Sequence, residues 1–285
     1  MLDRSAVGAV SPPVHRSWSS DDALLYALAV GAGVEDLSLV TENTEGVRQR
    51  VLPTFAALLG GGSTPLKARL GDWPPHATVH GAQQIALPGP LTPAGDVSVV
   101  SSVTSIADKG SGALVEIEAV GRHRATDEIA FESVTSLFLR GQGWGEPQTT
   151  AVSAPVPSGA PDLVISVTTD ASQALVYRLC GDRNPLHSDP AFAAKAGFER
   201  PILHGLCTWG LAARALLTSL ESAGEAAAID RLATYAGRFR SPVFPGEELT
   251  IRAWQPEPNR WTLTTSVGDR VVIDGGELTL HKSAS

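Results

Sequence analysis

The stretch HGLCTWGLAARALLTSLESA (His204–Ala223) decides the fold. Leu206, Trp209, Leu216 and Leu220 recur at a helical period, and the small residues Gly210, Ala212 and Ala213 between them let other elements approach the backbone on several sides. The spacing predicts one long helix. Downstream, Glu248–Trp254, Trp261–Val267 and Val271–Leu280 alternate β-branched or aromatic residues with polar ones, separated by short turns, which reads as an antiparallel meander. Upstream, Asp170 and Gln173 have the spacing of a capping box, Ala174–Cys180 reads as a helix, and Gly181 stands where a glycine ends one. A small-residue helix followed by a meander able to wrap it predicts an α+β domain.

The pattern occurs twice. GQGWGEPQTTAVSAPVPSGAP (Gly141–Pro161) carries a single charge and no period, so it reads as a connection near the middle of the chain. The expected organisation is an N-terminal domain over 1–145, a linker over 146–161 and a C-terminal domain over 162–285. ALLYALAVG (Ala23–Gly31) lies on ALVYRLCGD (Ala174–Asp182), TVHGAQ (Thr78–Gln83) on ILHGLC (Ile202–Cys207), and TPAGDVSV (Thr92–Val99) on VFPGEELTI (Val243–Ile251). Val97–Ala107, Ala113–Val120 and Ile129–Arg140 supply the first half with its own meander, so two similar domains with sheets side by side are expected. The halves differ where the first carries VRQRVLPTFAALLGGGSTPLK (Val47–Lys67) and the second a short polar connection.

Composition limits the function. The chain has 285 residues and a formal net charge of −8, which argues against the sequence-independent phosphate binding of nucleic-acid proteins. The longest uncharged stretch, Trp73–Gly95, holds five prolines and cannot cross a bilayer as a helix. The N-terminus lacks the apolar run of a signal peptide, so a cytoplasmic location is expected. Cys180 and Cys207 fit no metal-ligand spacing and read as free thiols, Cys207 as a buried small hydrophobe. Gly31-Ala-Gly33, GGGSTPLK and GLCTWG each fall short of a dinucleotide fingerprint, a P-loop and a nucleophile elbow respectively. Neither a cofactor nor a metal is expected.

The chemistry concentrates in GDRNPLHSDPAFAAKAGFERPILHG (Gly181–Gly205). Asp182, Asn184 and His187 fall within six residues, and Pro185 stiffens the backbone between them. A carboxylate and an imidazole held together can grip one water, one removing a proton and the other donating one. The same residues also read as a plain turn with His187 exposed beside it.

The string YRLCGDRNPLH, continuing SDPAFAAKAGFERPILHG, closely resembles the signature of the MaoC-like (R)-specific enoyl-CoA hydratases, or hydratase 2. YALAVGAG, LPTFA, VHGAQ and SLFLRGQGWG extend the resemblance to the two-domain members found in peroxisomal multifunctional enzymes and in actinobacteria. The resemblance implies a double hot-dog fold and reversible syn addition of water to a trans-2-enoyl-CoA, giving the (3R)-3-hydroxyacyl-CoA. It makes Asp182 and His187 the catalytic dyad and Asn184 the residue that positions them or the water. It also implies a homodimer and an N-terminal half turned to the acyl portion, with Leu52–Leu59 as pocket lining or as core. Cys180 stands where many relatives carry Ser, and GQGWG replaces Gly-Gly-Phe-Gly; neither departure touches the dyad.

Water attacking C3 drives electrons into the thioester carbonyl, so the developing oxyanion needs a donor. The N–H of Gly205, at the positive end of the long helix, is the candidate, although its missing Cβ equally serves packing. The CoA phosphates need local cations, for which Arg183, Lys195 and Arg200 are nearest in sequence, with Arg178, Arg238 and Arg240 as further basic residues. A hot-dog thioesterase, a dehydratase acting on acyl carrier protein and a non-catalytic acyl-CoA-binding subunit are the competing readings.

Overall fold

In the computed structural model, which describes residues 1–61, 64–74, 77–148 and 156–283, the six alternating stretches are six of the ten strands of one antiparallel sheet. The first half runs β1 (Val14–Trp18), α1 (Ser20–Ala29), α2 (Leu37–Val40), α3 (Ala56–Gly60), α4 (Thr64–Leu70), β2 (Thr78–Ala86), β3 (Gly95–Asp108), β4 (Gly112–His123) and β5 (Ile129–Arg140). The second runs β6 (Leu163–Thr168), α5 (Gln173–Tyr177), α6 (Pro190–Lys195), α7 (Gly205–Ser222), β7 (Leu232–Phe239), β8 (Glu248–Glu257), β9 (Arg260–Val267) and β10 (Arg270–Leu280). The strand order is β1-β3-β4-β5-β2-β7-β10-β9-β8-β6. Read outward from the β2–β7 seam, the halves have the same topology. The meander strands predicted from alternation are β3–β5 and β8–β10; β5 matches its reading and the other five are a little longer.

Each half wraps its sheet around a helix, which makes the molecule a double hot-dog fold. Helix α7 packs on β6, β7 and β8, while the shorter α3 packs on β2, β4 and β5. The symmetry shows in α1 and α5, whose Tyr26 and Tyr177 are both 1% exposed with ring centroids 6.3 Å apart. Trp209 of α7 is fully buried and stacks on Tyr235 of β7 at 4.3 Å.

Helix α7 is also where the halves grip each other. A Cβ on Gly210 would lie 2.8 Å from both the Tyr26 hydroxyl and Val30 Cγ1, so the first half sits directly on this backbone. Arg50 forms a bidentate pair with Glu221 at 2.7 and 3.0 Å, and Arg214 donates to the Val30 carbonyl at 2.9 Å and pairs with Asp36 at 3.4 Å. Gly210→Ala sets two effects against each other. Helix propensity favours Ala by about 1 kcal/mol, whereas overpacking against a rigid neighbour costs about 1–3 kcal/mol. The clash should win, giving a lower urea midpoint than the native chain; an unchanged or higher midpoint would remove close contact as the reason for this glycine.

Three sequence readings need correction. His80-Gly81 and His204-Gly205 are not equivalent: His80 lies inside β2, whose counterpart by topology is β7, whereas His204 precedes α7. A dipeptide match outweighed topology because the true counterpart of α7, around α3, lies within the stretch read as an insert. The edge and seam strands β1, β6, β2 and β7 escaped the reading; β1 and β6 are only five and six residues long, too short for alternation to register. The capping box is half formed. Gln173 accepts from the Asp170 N–H, but the Asp170 carboxylate is turned to Ser172. The paired turns before β3 and β8 do correspond, and Leu52, Phe55, Ala56 and Ala57 are buried in the main core.

Residues 149–155 of the linker, and His76, lie outside the described residues. The chain at the start of the expected linker is tied down: the fully buried Asp108 carboxylate accepts from the N–H groups of Gly110, Trp144 and Glu146 at 2.7–3.0 Å. Burial works to raise the pKa of this carboxyl, but the backbone donors outweigh it and hold it below the ordinary value.

Candidate active site

Local chain chemistry presents the site. Helix α5 tightens into a 3-10 turn over Arg178–Cys180 and stops at Gly181, whose φ of +123° suits glycine and turns the chain into the Asp182 loop. The Asp182 carboxylate accepts from the Asn184 N–H at 3.1 Å. The Asn184 side chain in turn caps a second 3-10 turn, Pro185–His187, by accepting from Leu186 N–H at 3.1 Å. The turn reading holds, and it does not compete with the chemical one, because the turn is the device that presents the polar groups. His187 is not exposed; its residual accessibility is 8%.

His187 Nδ1 lies 2.8 Å from the Ile202 carbonyl, which can only accept, so Nδ1 carries the hydrogen and Nε2 keeps its lone pair. Burial lowers the His187 pKa, opposed by the Ile202 bond and the Asp182 charge. Its ring stacks on His204, centroids 3.7 Å apart and planes 27° from parallel. His204 is 2% exposed, and its Nε2 donates to the Asp182 carbonyl at 3.2 Å. Burial and the adjacent His187 push the His204 pKa down to about 4. Donor atoms of Asp182, His187 and His204 lie within 4.8 Å of one another.

Gly205 opens α7 directly after His204, and no side chain caps the helix. A Cβ at Gly205 would touch the Phe239 ring at 3.3 Å, and Phe239 meets His80 of the first half edge-on at 4.9 Å. Burial drives the His80 pKa down to about 4 against the field of Asp182, so the N-terminal half places a neutral imidazole beside the site. Of the proposed cations, Arg183 and Lys195 are exposed, while Arg200 lies over the Phe244 ring and donates to the Pro245 carbonyl at 3.2 Å. Arg238 and Arg240 both pair with Asp274. His204 and His80 are the site residues that sequence reasoning missed, since both were absorbed into the false His-Gly match. A usable signal was present: histidine is unusual before a helix, where Ser, Thr, Asp or Asn is expected.

The double hot-dog fold, with a polar loop at the start of its long helix, agrees with a hydro-lyase of the MaoC-like class, and similarity shows that class. Residues 152–275 match the MaoC like domain and residues 17–141 the MFE-2 hydratase 2 N-terminal domain. The 3-hydroxyacyl-thioester dehydratase Y of Mycobacterium tuberculosis is 45% identical, over 96% of this chain and 97% of its own. The peroxisomal enoyl-CoA hydratase 2 of Arabidopsis thaliana is 35% identical, over 85% and 84%. A MaoC-like dehydratase from Phytophthora capsici superposes with a TM-score of 0.85 at 29% identity, covering 100% of this chain and 99% of that one. The chain belongs to the two-domain MaoC-like hydratase 2 family.

Proposed function

We propose that the protein hydrates trans-2-enoyl-CoA to (3R)-3-hydroxyacyl-CoA, reversibly, with Asp182 and His187 acting on one water. The observation that carries this reading is the 2.8 Å contact of His187 Nδ1 with the Ile202 carbonyl, from which the tautomer follows. With Nδ1–H given to Ile202 and the pKa lowered by burial, Nε2 is a bare lone pair next to Asp182. In the forward direction His187 Nε2 takes a proton from water as its oxygen bonds to C3. The C2=C3 electrons move toward C2 and the thioester carbonyl, forming an enolate. Asp182 accepts a hydrogen bond from the remaining water hydrogen and balances the imidazolium charge. The uncapped N–H of Gly205, at the N-terminus of α7, is the donor for the enolate oxygen. The enolate then collapses, C2 takes the proton from His187, and Nε2 is free again. Delivery by the group that activated the water places both new bonds on one face. Asn184 holds the loop geometry, and exposed Arg183 and Lys195, with Arg200, supply charge for the CoA phosphates. The second half carries the chemistry, and the first, through His80 and β2, walls the acyl side.

Run backward, the same steps dehydrate a 3-hydroxyacyl thioester, the activity in the name of the relative from M. tuberculosis. The test follows loss of the conjugated thioester absorbance with short, medium and long trans-2-enoyl-CoA, and resolves the product's stereochemistry. Release of free CoA thiol, or an (3S) product, would sink the proposal. The pH profile is a second check. A depressed His187 pKa keeps the base neutral as pH falls through the ordinary imidazole range, so kcat should hold there and fall only at lower pH.

A further inference from the structure

We infer that His204 is the positioning residue of this site: its imidazole, clamped between Tyr177 and His187 and bonded to the Asp182 backbone, sets the direction of both members of the dyad. The inference rests on the Asp182–His187 reading above and adds a third residue to it.

The geometry is specific. His204 occupies the position before α7 with φ −60° and ψ 135°, where a short polar side chain would turn back to cap the helix. Its ring instead enters the space between two other rings, Tyr177 at 4.8 Å and His187 at 3.7 Å. Among the described residues, His187 is held by one side-chain hydrogen bond, from Nδ1 to the Ile202 carbonyl. A ring held at one atom can still swing about that bond, and the swing carries Nε2 through an arc. The flat face of His204 removes that freedom. The bond from His204 Nε2 to the Asp182 carbonyl fixes the other side, because it pins the backbone from which the Asp182 side chain projects. One imidazole thus couples two residues five positions apart in a loop that is otherwise held by its own short turns.

Electrostatics make a neutral ring the right one for this place. Among the described residues, Asp182, Arg178 and the Tyr177 phenol from the preceding stretch, and His187 itself, are the titratable or charged groups that face His204. A charged His204 would stand against the positive charge that His187 acquires during turnover. Burial and the neighbouring His187 hold His204 uncharged, so the stacked pair carries a single positive charge when the water is activated. His204 Nδ1 is buried with no hydrogen-bond partner among the described residues. Folding alone gains nothing from such an atom, since an unpaired buried polar group is unfavourable. The Nε2 donor and the ring face explain why an imidazole stands where Phe or Leu would pack as well.

The experiment uses the full chain and trans-2-enoyl-CoA hydration, with thermal melts to establish folding. His204→Phe keeps the flat ring and loses the donor. His204→Gln keeps a donor near the Nε2 position and loses the ring, and His204→Ala loses both. His204→Ala should lower kcat by about 100-fold, the scale of a displaced catalytic group, with KM changed by less than about 3-fold because the thioester's own contacts remain. Its acid limb should move to higher pH, since water replacing the ring relieves the burial that depresses His187. His204→Phe should leave that limb in place and lose less kcat, and His204→Gln should recover part of what His204→Ala loses. If His204→Ala does not fold, the Phe and Gln variants carry the test, because each fills most of the space. Folded His204 variants with native kcat and a native acid limb would overturn the inference. Asp182→Asn separates the two levels: if it retains activity, the dyad reading fails; if it is inactive while all His204 variants behave as native, only the role of His204 fails.

Discussion

Asp182→Asn and His187→Gln are each expected to lower kcat for enoyl-CoA hydration by about 10²–10⁴-fold, the usual contribution of a positioned acid–base group. The two losses should not add. Both side chains act on one water, so Asp182→Asn/His187→Gln should resemble the worse single variant, as for residues that work as a unit. Asp182→Asn keeps an oxygen for the Asn184 N–H, so the loop should stay folded and KM should change little. His187→Gln fills the space near Nε2 with an amide that is no base, and gives up the Nδ1–H that His187 donates to Ile202. Single-turnover measurements on both variants and their combination decide the matter. Losses that multiply in the combination would mean that the two groups serve separate steps rather than one water.

The largest stability effect should come from Trp209→Ala. The side chain is fully buried, stacks on Tyr235 and receives the Tyr235 hydroxyl at its carbonyl, 3.3 Å away. Removing an indole from such a setting costs about 3–5 kcal/mol, part from lost transfer energy and part from the cavity left behind. The surroundings cannot collapse into the gap, because α7 is held to the first half at Gly210, Arg214 and Glu221. The change should reach function too, since Gly205 lies just over one turn earlier on the same helix. Urea denaturation with kcat measured well below the midpoint checks both. A loss under about 1 kcal/mol would mean that the core repacks freely around α7.

These residues also show how much of the molecule was legible in its sequence. The long α7 stood out because its apolar spacing and small residues are local signals, and the six meander strands because alternation over seven or more residues is hard to produce otherwise. The edge strands β1 and β6 were invisible for the opposite reason: five or six residues leave too little pattern. The pairing of β2 with β7 joins residues about 150 positions apart, and only tertiary packing specifies it. Within the site, Asp182, Asn184 and His187 were readable because one short loop carries all three. His80 and His204 reach the same place from a strand of the other half and from a helix start. Their meeting depends on Phe239 and Tyr177, which no spacing links to them.

The β2–β7 seam bears on how the chain is made. Ala82 pairs with Arg238 and Ala86 with Thr234, so the edge of β2 that does not face β5 waits for its partner until about 150 further residues have been made. During that interval the first half carries an open strand edge in what will become the middle of the sheet, along with Tyr26 and Val30 awaiting α7. An unpaired edge beside apolar surface invites pairing with other nascent chains. Tying the start of the expected linker to Asp108 anchors the point from which the second half must return, and so shortens the search that closes the sheet. The intramolecular partner then competes from an effective concentration that neighbouring chains do not match.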